Sequence, residues 1–188
     1  ASRMTKPATA DLIRNAVRAG VAVPAFNIPY LPMMAPVFQA LRDTGTFGLI
    51  AVARLEWEKF EARSPKAVHD EYERLKGDER CTRLHLDHVP VIDEDLRPVD
   101  YLGIIRTAVD LGYQSVMVDG SRLPLAENIR ATRAVVELAH AAGIPAEAEL
   151  GAVMGHEEGP MPPYEELFAS GRGFTAVSEA VEFVRQTG

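Results

Sequence analysis

The chain has 188 residues, 47% of them hydrophobic and 25% charged, with a formal net charge of −7. That balance suits a soluble globular protein and argues against a nucleic-acid surface, which needs clustered Lys and Arg. No apolar run approaches a membrane span, and the polar N-terminus lacks a signal-peptide pattern, so a cytoplasmic protein is expected. With Cys81 as the only cysteine, an intrachain disulfide and a thiolate zinc site are both ruled out. Any metal must therefore rest on His, Asp and Glu.

Helical and strand-like segments alternate along the chain, the pattern of a parallel α/β fold. Thr9 to Ala19 reads as an amphipathic helix ended by Gly20, and Val21 to Ile28 as an apolar strand ending at Asn27. A helix from Pro32 to Arg42 precedes Gly45, and Phe47 to Ala53 reads as a second buried strand. Ser64-Pro65 opens a helix through Leu75, with Ser as the cap and Pro tolerated in the first turn. Arg83 to Val89, Gln114 to Asp119 and Pro145 to Val153 read as further strands. Helices are expected over Val99 to Leu111, Asn128 to Ala142 and Val177 to Gln186, with a Gly- and Pro-rich loop from Met154 to Gly173. No composition break divides the chain, so residues 1–188 are expected to be one domain. The first strand–helix junction has no Gly-x-Gly-x-x-Gly turn to anchor a dinucleotide.

Polar residues gather at the C-terminal ends of strands: Asn27, Asp87 with His88, Asp119, and Glu149. A barrel brings many strand ends around one mouth, which favours that architecture over an open sheet. In His85-Leu86-Asp87-His88, strand alternation puts His85 and Asp87 on one face, while His88 lies where the strand ends and alternation can fail. A neutral imidazole binds zinc, and a neighbouring carboxylate can move a proton; a merely hydrogen-bonded strand end is the plain alternative. Glu147 and Glu149 share one face of a strand read as central, which should look onto a polar cavity; a solvent-exposed edge strand is the plain alternative. Asp119-Gly120-Ser121 is either a site element or a simple turn. Glu157 lies in a glycine-flanked loop that could carry a carboxylate over a substrate. Glu56, Glu58 and Lys59 read as a solvated face, and His69 and His140 as structural or surface residues.

Together these segments resemble the class II fructose-bisphosphate and tagatose-bisphosphate aldolases. The resemblance rests on Val23-Pro-Ala-Phe-Asn27, Leu84-His-Leu-Asp-His88, Ser115-Val-Met-Val-Asp-Gly-Ser121, Glu127-Asn128, Glu147-Ala-Glu-Leu-Gly151 and Gly155-His-Glu157, in matching order and spacing. The terminal Glu182 to Gly188 resembles the helix leading to a sixth strand. The resemblance implies a (β/α)₈ TIM barrel, of which this sequence supplies an N-terminal helix and about the first five strand–helix units. It implies a divalent-metal-dependent lyase that cleaves a ketose phosphate or related hydroxy-ketone through a zinc-stabilised enediolate. Under it, Asp87 matches the acid that serves the aldehyde-derived oxygen, and Glu157 the loop carboxylate that moves the carbon-bound proton. His88 matches a ligand of Zn²⁺ or another divalent cation, with Asp119 and Glu149 at a neighbouring metal position. Asn27 matches a substrate contact, and Ser121 falls in a matching segment at the same rim. A serine of the family's second strand end is replaced around Arg54, which could hold a phosphate or carboxylate by paired hydrogen bonds. Two further zinc histidines belong to later strands of the family. A homo-dimer or homo-tetramer acting on a small sugar phosphate, with no nucleic-acid or membrane partner, is the implied setting. A non-catalytic partner subunit or sugar-phosphate-binding protein is the alternative.

Overall fold

A computed structural model of the chain describes residues 7–77, 80–151, 163, 165–166, 169 and 175–188. Five strands form one parallel sheet in sequential order: β1 Ala25–Asn27, β2 Gly48–Ala53, β3 Thr82–Pro90, β4 Ser115–Asp119 and β5 Ala146–Glu149. The helices are α1 Thr9–Ala19, α2 Met34–Thr44, α3 Arg54–Glu58, α4 Pro65–Leu75, α5 Tyr101–Leu111, α6 Leu125–Ala141 and α7 Val177–Thr187, with a 3₁₀ turn at Leu31–Met33.

The core explains why this sheet belongs to a barrel. Ile50 and Val52, Leu84 and Leu86, and Val116 and Val118 alternate along β2, β3 and β4 and join one buried cluster. Phe38 of α2, Tyr72 of α4, Ile105 of α5 and Val135 of α6 enter the same cluster. All four helices therefore cover a single face, as happens when strands follow one another in order with crossovers of one hand. A doubly wound sheet reverses its order and places helices on both faces. The sheet is five strands of a (β/α)₈ TIM-barrel arrangement, with its second face turned toward the barrel interior. No helix among the described residues is long and apolar enough to cross a membrane.

Local chemistry sets the element ends. Ser64 accepts the Ala67 N–H at 3.0 Å and Pro65 opens α4, as the sequence suggests. Gly45 takes φ 62° at the end of α2, a left-handed conformation that a side chain disfavours. Several expectations shift. The first strand shortens from Val21–Ile28 to Ala25–Asn27, because Pro24 has no N–H and can offer the ladder only its carbonyl, to Leu49. The fourth helical segment begins after Asp100, whose carboxylate caps Gly103 N–H at 3.0 Å, rather than at Val99. The next begins at Leu125 rather than Asn128, since Pro124 accepts the N–H groups of Glu127 and Asn128. The last strand closes at Glu149, and it is an edge of the described sheet rather than a central strand. Arg54 begins an unanticipated helix, α3.

The buried row on β3 should dominate stability. Leu86 is fully buried against the helix layer, so Leu86→Ala is expected to cost about 3 kcal/mol in urea unfolding. A loss below about 1 kcal/mol would contradict this packing.

Candidate functional site

The interior face of the sheet carries an unusual row of polar residues. Register pairs Ala53 with Asp87, His85 with Ser115, Met117 with Glu147, and Asp119 with Glu149. In parallel strands such partners share a face, so the carboxylates of three neighbouring strands line up opposite the apolar layer.

One backbone irregularity completes the cluster. Between Leu86 and Val89 the pairing of β3 with β4 slips by one residue, and His88 adopts φ 36°. With strict alternation, His88 would share the helix-facing side with Leu86. The bulge instead turns its ring inward, and Val89 resumes the buried row with no exposed surface. His88 Nε2 then lies 3.2 Å from Asp119 Oδ2 and 3.9 Å from Glu149 Oε2. One ligand atom from each of His88, Asp119 and Glu149 lies within 4.8 Å of the other two.

Charge explains the protonation of this group. The hydrogen bond to Asp119 raises the His88 ring above the usual histidine range, against the opposing effect of burial. Burial pushes Asp119 upward, but bonds with His88 and Ser121 outweigh it and leave the carboxyl below its ordinary range. Glu149 is raised, first by burial and then by the nearby Asp119 charge. An imidazole nitrogen and two carboxylate oxygens converging in this way form a donor set that suits a divalent cation such as Zn²⁺. A cation would also relieve the repulsion that raises Glu149.

Asp87 sits beside this cluster in a different setting. Its Oδ2 accepts a 2.8 Å hydrogen bond from Asn27 Nδ2, and its Oδ1 lies 3.7 Å from His85 Nε2. Burial pushes Asp87 up, yet His85 and Asn27 more than offset it, so the carboxyl is held below the usual range. Asn27 also donates to Glu56 Oε2 at 3.4 Å. The same Glu56 oxygen accepts the Ala53 N–H at 2.7 Å. Glu56 is thus half-buried at the site edge rather than on a solvated face, and desolvation raises its carboxyl despite the Ala53 bond. Its signal was its position three residues after a strand end, where a carboxylate can reach back to a free N–H.

The other candidates occupy the rim. Arg54 is half-buried, with Nη1 3.8 Å from Asp93 Oδ2. Asp93 Oδ1 accepts the N–H groups of Asp95 and Arg97 at 3.0 and 2.9 Å. Lys59 pairs with Glu94 of the same loop at 2.7 Å. Ser121 donates its N–H to Asp119 Oδ1 at 2.8 Å, so the Asp119-Gly120-Ser121 segment is both a tight turn and a support for the cluster. A Cβ at Gly120 would collide with the Asn128 amide. Buried Asn128 donates to the Glu149 carbonyl at 2.9 Å and so fastens β5 beside β4. His69 lies against Asp70 and Glu73, and His140 is exposed, both apart from the site. Glu157 lies outside the described residues.

The wider comparisons agree with this geometry. The family model "Fructose-bisphosphate aldolase class-II" matches residues 7–188. A fructose-bisphosphate aldolase of Treponema pallidum is 31% identical over 185 residues, covering 96% of this chain and 51% of that protein. One from Geobacillus stearothermophilus is 30% identical over 181 residues, covering 95% and 56%. The crystal structure of the YdjI aldolase from Escherichia coli K12 superposes with a TM-score of 0.69 at 26% identity, covering 93% of this chain and 58% of that one. The chain therefore spans about half the length of the curated relatives it matches. A polar barrel face on this sheet order, together with these matches, establishes that the chain belongs to the class II fructose-bisphosphate aldolase family.

Proposed function

We propose that the intact protein is a divalent-metal-dependent aldolase that reversibly cleaves a ketose phosphate or a related hydroxy-ketone. The observation that carries this reading is the convergence of His88, Asp119 and Glu149 next to Asp87, a carboxylate kept separate and ionised by its own partners. His88 would hold the cation, and Asp119 and Glu149 would supply the neighbouring oxygen donors. When bound, the cation acts as a Lewis acid that stabilises the negative charge developing beside the ketose carbonyl.

The remaining chemistry belongs to the chain's own groups. In the cleavage direction, Asp87 accepts the proton of the hydroxyl whose carbon becomes the aldehyde, and the carbon–carbon bond breaks toward the carbonyl side. In condensation Asp87 returns that proton to the new hydroxyl. An Asp carboxyl held below its usual range is ionised at neutral pH, which suits the accepting role. Glu157 moves the proton on the ketone-side carbon, a role carried by family resemblance. Two carboxylates in different surroundings can divide such work. Asn27 orients Asp87 and the substrate hydroxyls near it, while Ser121 offers its hydroxyl at the rim where it also steadies Asp119. Arg54 follows directly on Ala53, the register partner of Asp87, which supports a role for it in pairing with an acidic group on the aldehyde-derived half.

Chelator treatment of the intact protein is expected to abolish ketose-phosphate cleavage, and added Zn²⁺ to restore it. Asp87→Ala should bind Zn²⁺ in calorimetric titration while losing at least about 100-fold in kcat. Full turnover in that variant would remove Asp87 from the mechanism.

Arg54→Glu is expected to raise KM for a phosphorylated ketose by about 10-fold or more, with little change for its unphosphorylated counterpart. Equal effects on both substrates would show that Arg54 only supports the Asp93 loop.

A further inference from the structure

We propose that His85 is a positioning residue that fixes the Asp87 carboxylate for proton transfer, an inference that rests on the aldolase reading above. His85 is 2% exposed, on the interior face of β3. Its Nδ1 lies 2.8 Å from Ser115 Oγ, its register partner on β4. Its Nε2 lies 3.5 Å from Glu147 Oε2 and 3.7 Å from Asp87 Oδ1.

The partners decide where the proton sits. An ionised carboxylate only accepts hydrogen bonds, so an Nε2 that faces two of them carries hydrogen. With hydrogen on Nε2, Nδ1 can accept from the Ser115 hydroxyl at 2.8 Å. Ser115 thereby selects the tautomer, and the tautomer presents its N–H to Asp87.

The geometry gives this contact a purpose. Asn27 holds Asp87 Oδ2 from β1, and His85 faces the other oxygen from within β3. A carboxylate held at one oxygen can still swing about that bond; a cationic or N–H group facing the second oxygen at 3.7 Å favours one plane electrostatically. Proton transfer depends on that plane, and a displacement of about 1 Å can cost about 100-fold in rate. Glu147 is 58% exposed in its side chain and shares the same N–H, so it can compete with Asp87 for His85. Ser115 therefore acts on Asp87 through His85.

The test uses the intact protein with Zn²⁺ and a ketose phosphate it cleaves. Asn lacks a donor at the Nε2 position, whereas Gln can place an amide N–H near it. His85→Asn is expected to lower kcat by about 100-fold with KM changed by less than about threefold, and His85→Gln to recover most of the loss. In the Asp87→Ala background, His85→Asn should add little, since two groups acting as one are not additive. Thermal unfolding of each variant separates misfolding from misalignment. The carboxyl carbon signal of Asp87 in ¹³C-labelled protein, assigned through Asp87→Asn, should move in His85→Asn and in Ser115→Ala, and return in His85→Gln. An unmoved signal, or an equal kcat loss with and without Asp87, overturns the proposal. Should the unaltered protein cleave no ketose, the aldolase reading fails, and the carboxyl signal alone decides whether His85 orients Asp87.

Discussion

The site depends on one residue of irregular backbone. At His88 the third strand turns left-handed, with φ 36°, and gains one residue relative to its neighbour. Without that bulge, strand alternation would direct His88 and Asp87 to opposite faces, with the imidazole in the helix layer. A left-handed conformation at a non-glycine residue costs roughly 1–3 kcal/mol. The bonded neighbourhood sustains it. Leu86 and Val89 remain buried on either side of the bulge, and the imidazole gains Asp119 as a partner. The strain thus lies where two functional side chains adjacent in sequence must address the same space.

That space is dense in negative charge. Asp87, Asp119, Glu147, Glu149 and Glu56 surround two histidines, and burial raises Glu56 and Glu149. The chain manages the repulsion by giving the acids different partners. Asp119 is stabilised by His88 and Ser121, and Asp87 by His85 and Asn27. Glu56 is tied to the backbone of Ala53. Glu149 keeps the least compensation of the three acids nearest His88, and burial together with the Asp119 charge leaves its carboxyl raised. Separate partners also give neighbouring carboxylates different proton affinities within one site.

Structural and chemical demands meet in the strand-to-helix segments above the sheet. Asn128 is buried in α6, yet its amide holds the Glu149 carbonyl, and Gly120 is small because that amide packs over it. The Asp93 loop engages Arg54 and Lys59 through Asp93 and Glu94, so β2 and β3 share one rim. These contacts tie the Asp93 loop to the α3 segment beside the polar ends of β2 and β3.

The sequence alone determined the alternation of strands and helices, most element centres, and the strand-end row of Asn27, Asp87, His88, Asp119 and Glu149. Those features follow from local rules: apolar periodicity, caps such as Ser64, and polar residues that interrupt buried strands. It also specified the family through ordered motifs. Only the tertiary structure decided that α2, α4, α5 and α6 share one face, that β1 begins after Pro24, and that β5 lies at an edge of the described sheet. It alone turned His88 inward, moved Glu56 from solvent into the site, and set His85 between Ser115 and Asp87. These depend on register between strands roughly 30 residues apart. A one-residue slip in pairing changes which side chains meet, and nothing in the local sequence of His85-Leu86-Asp87-His88 records the strand that lies beside it.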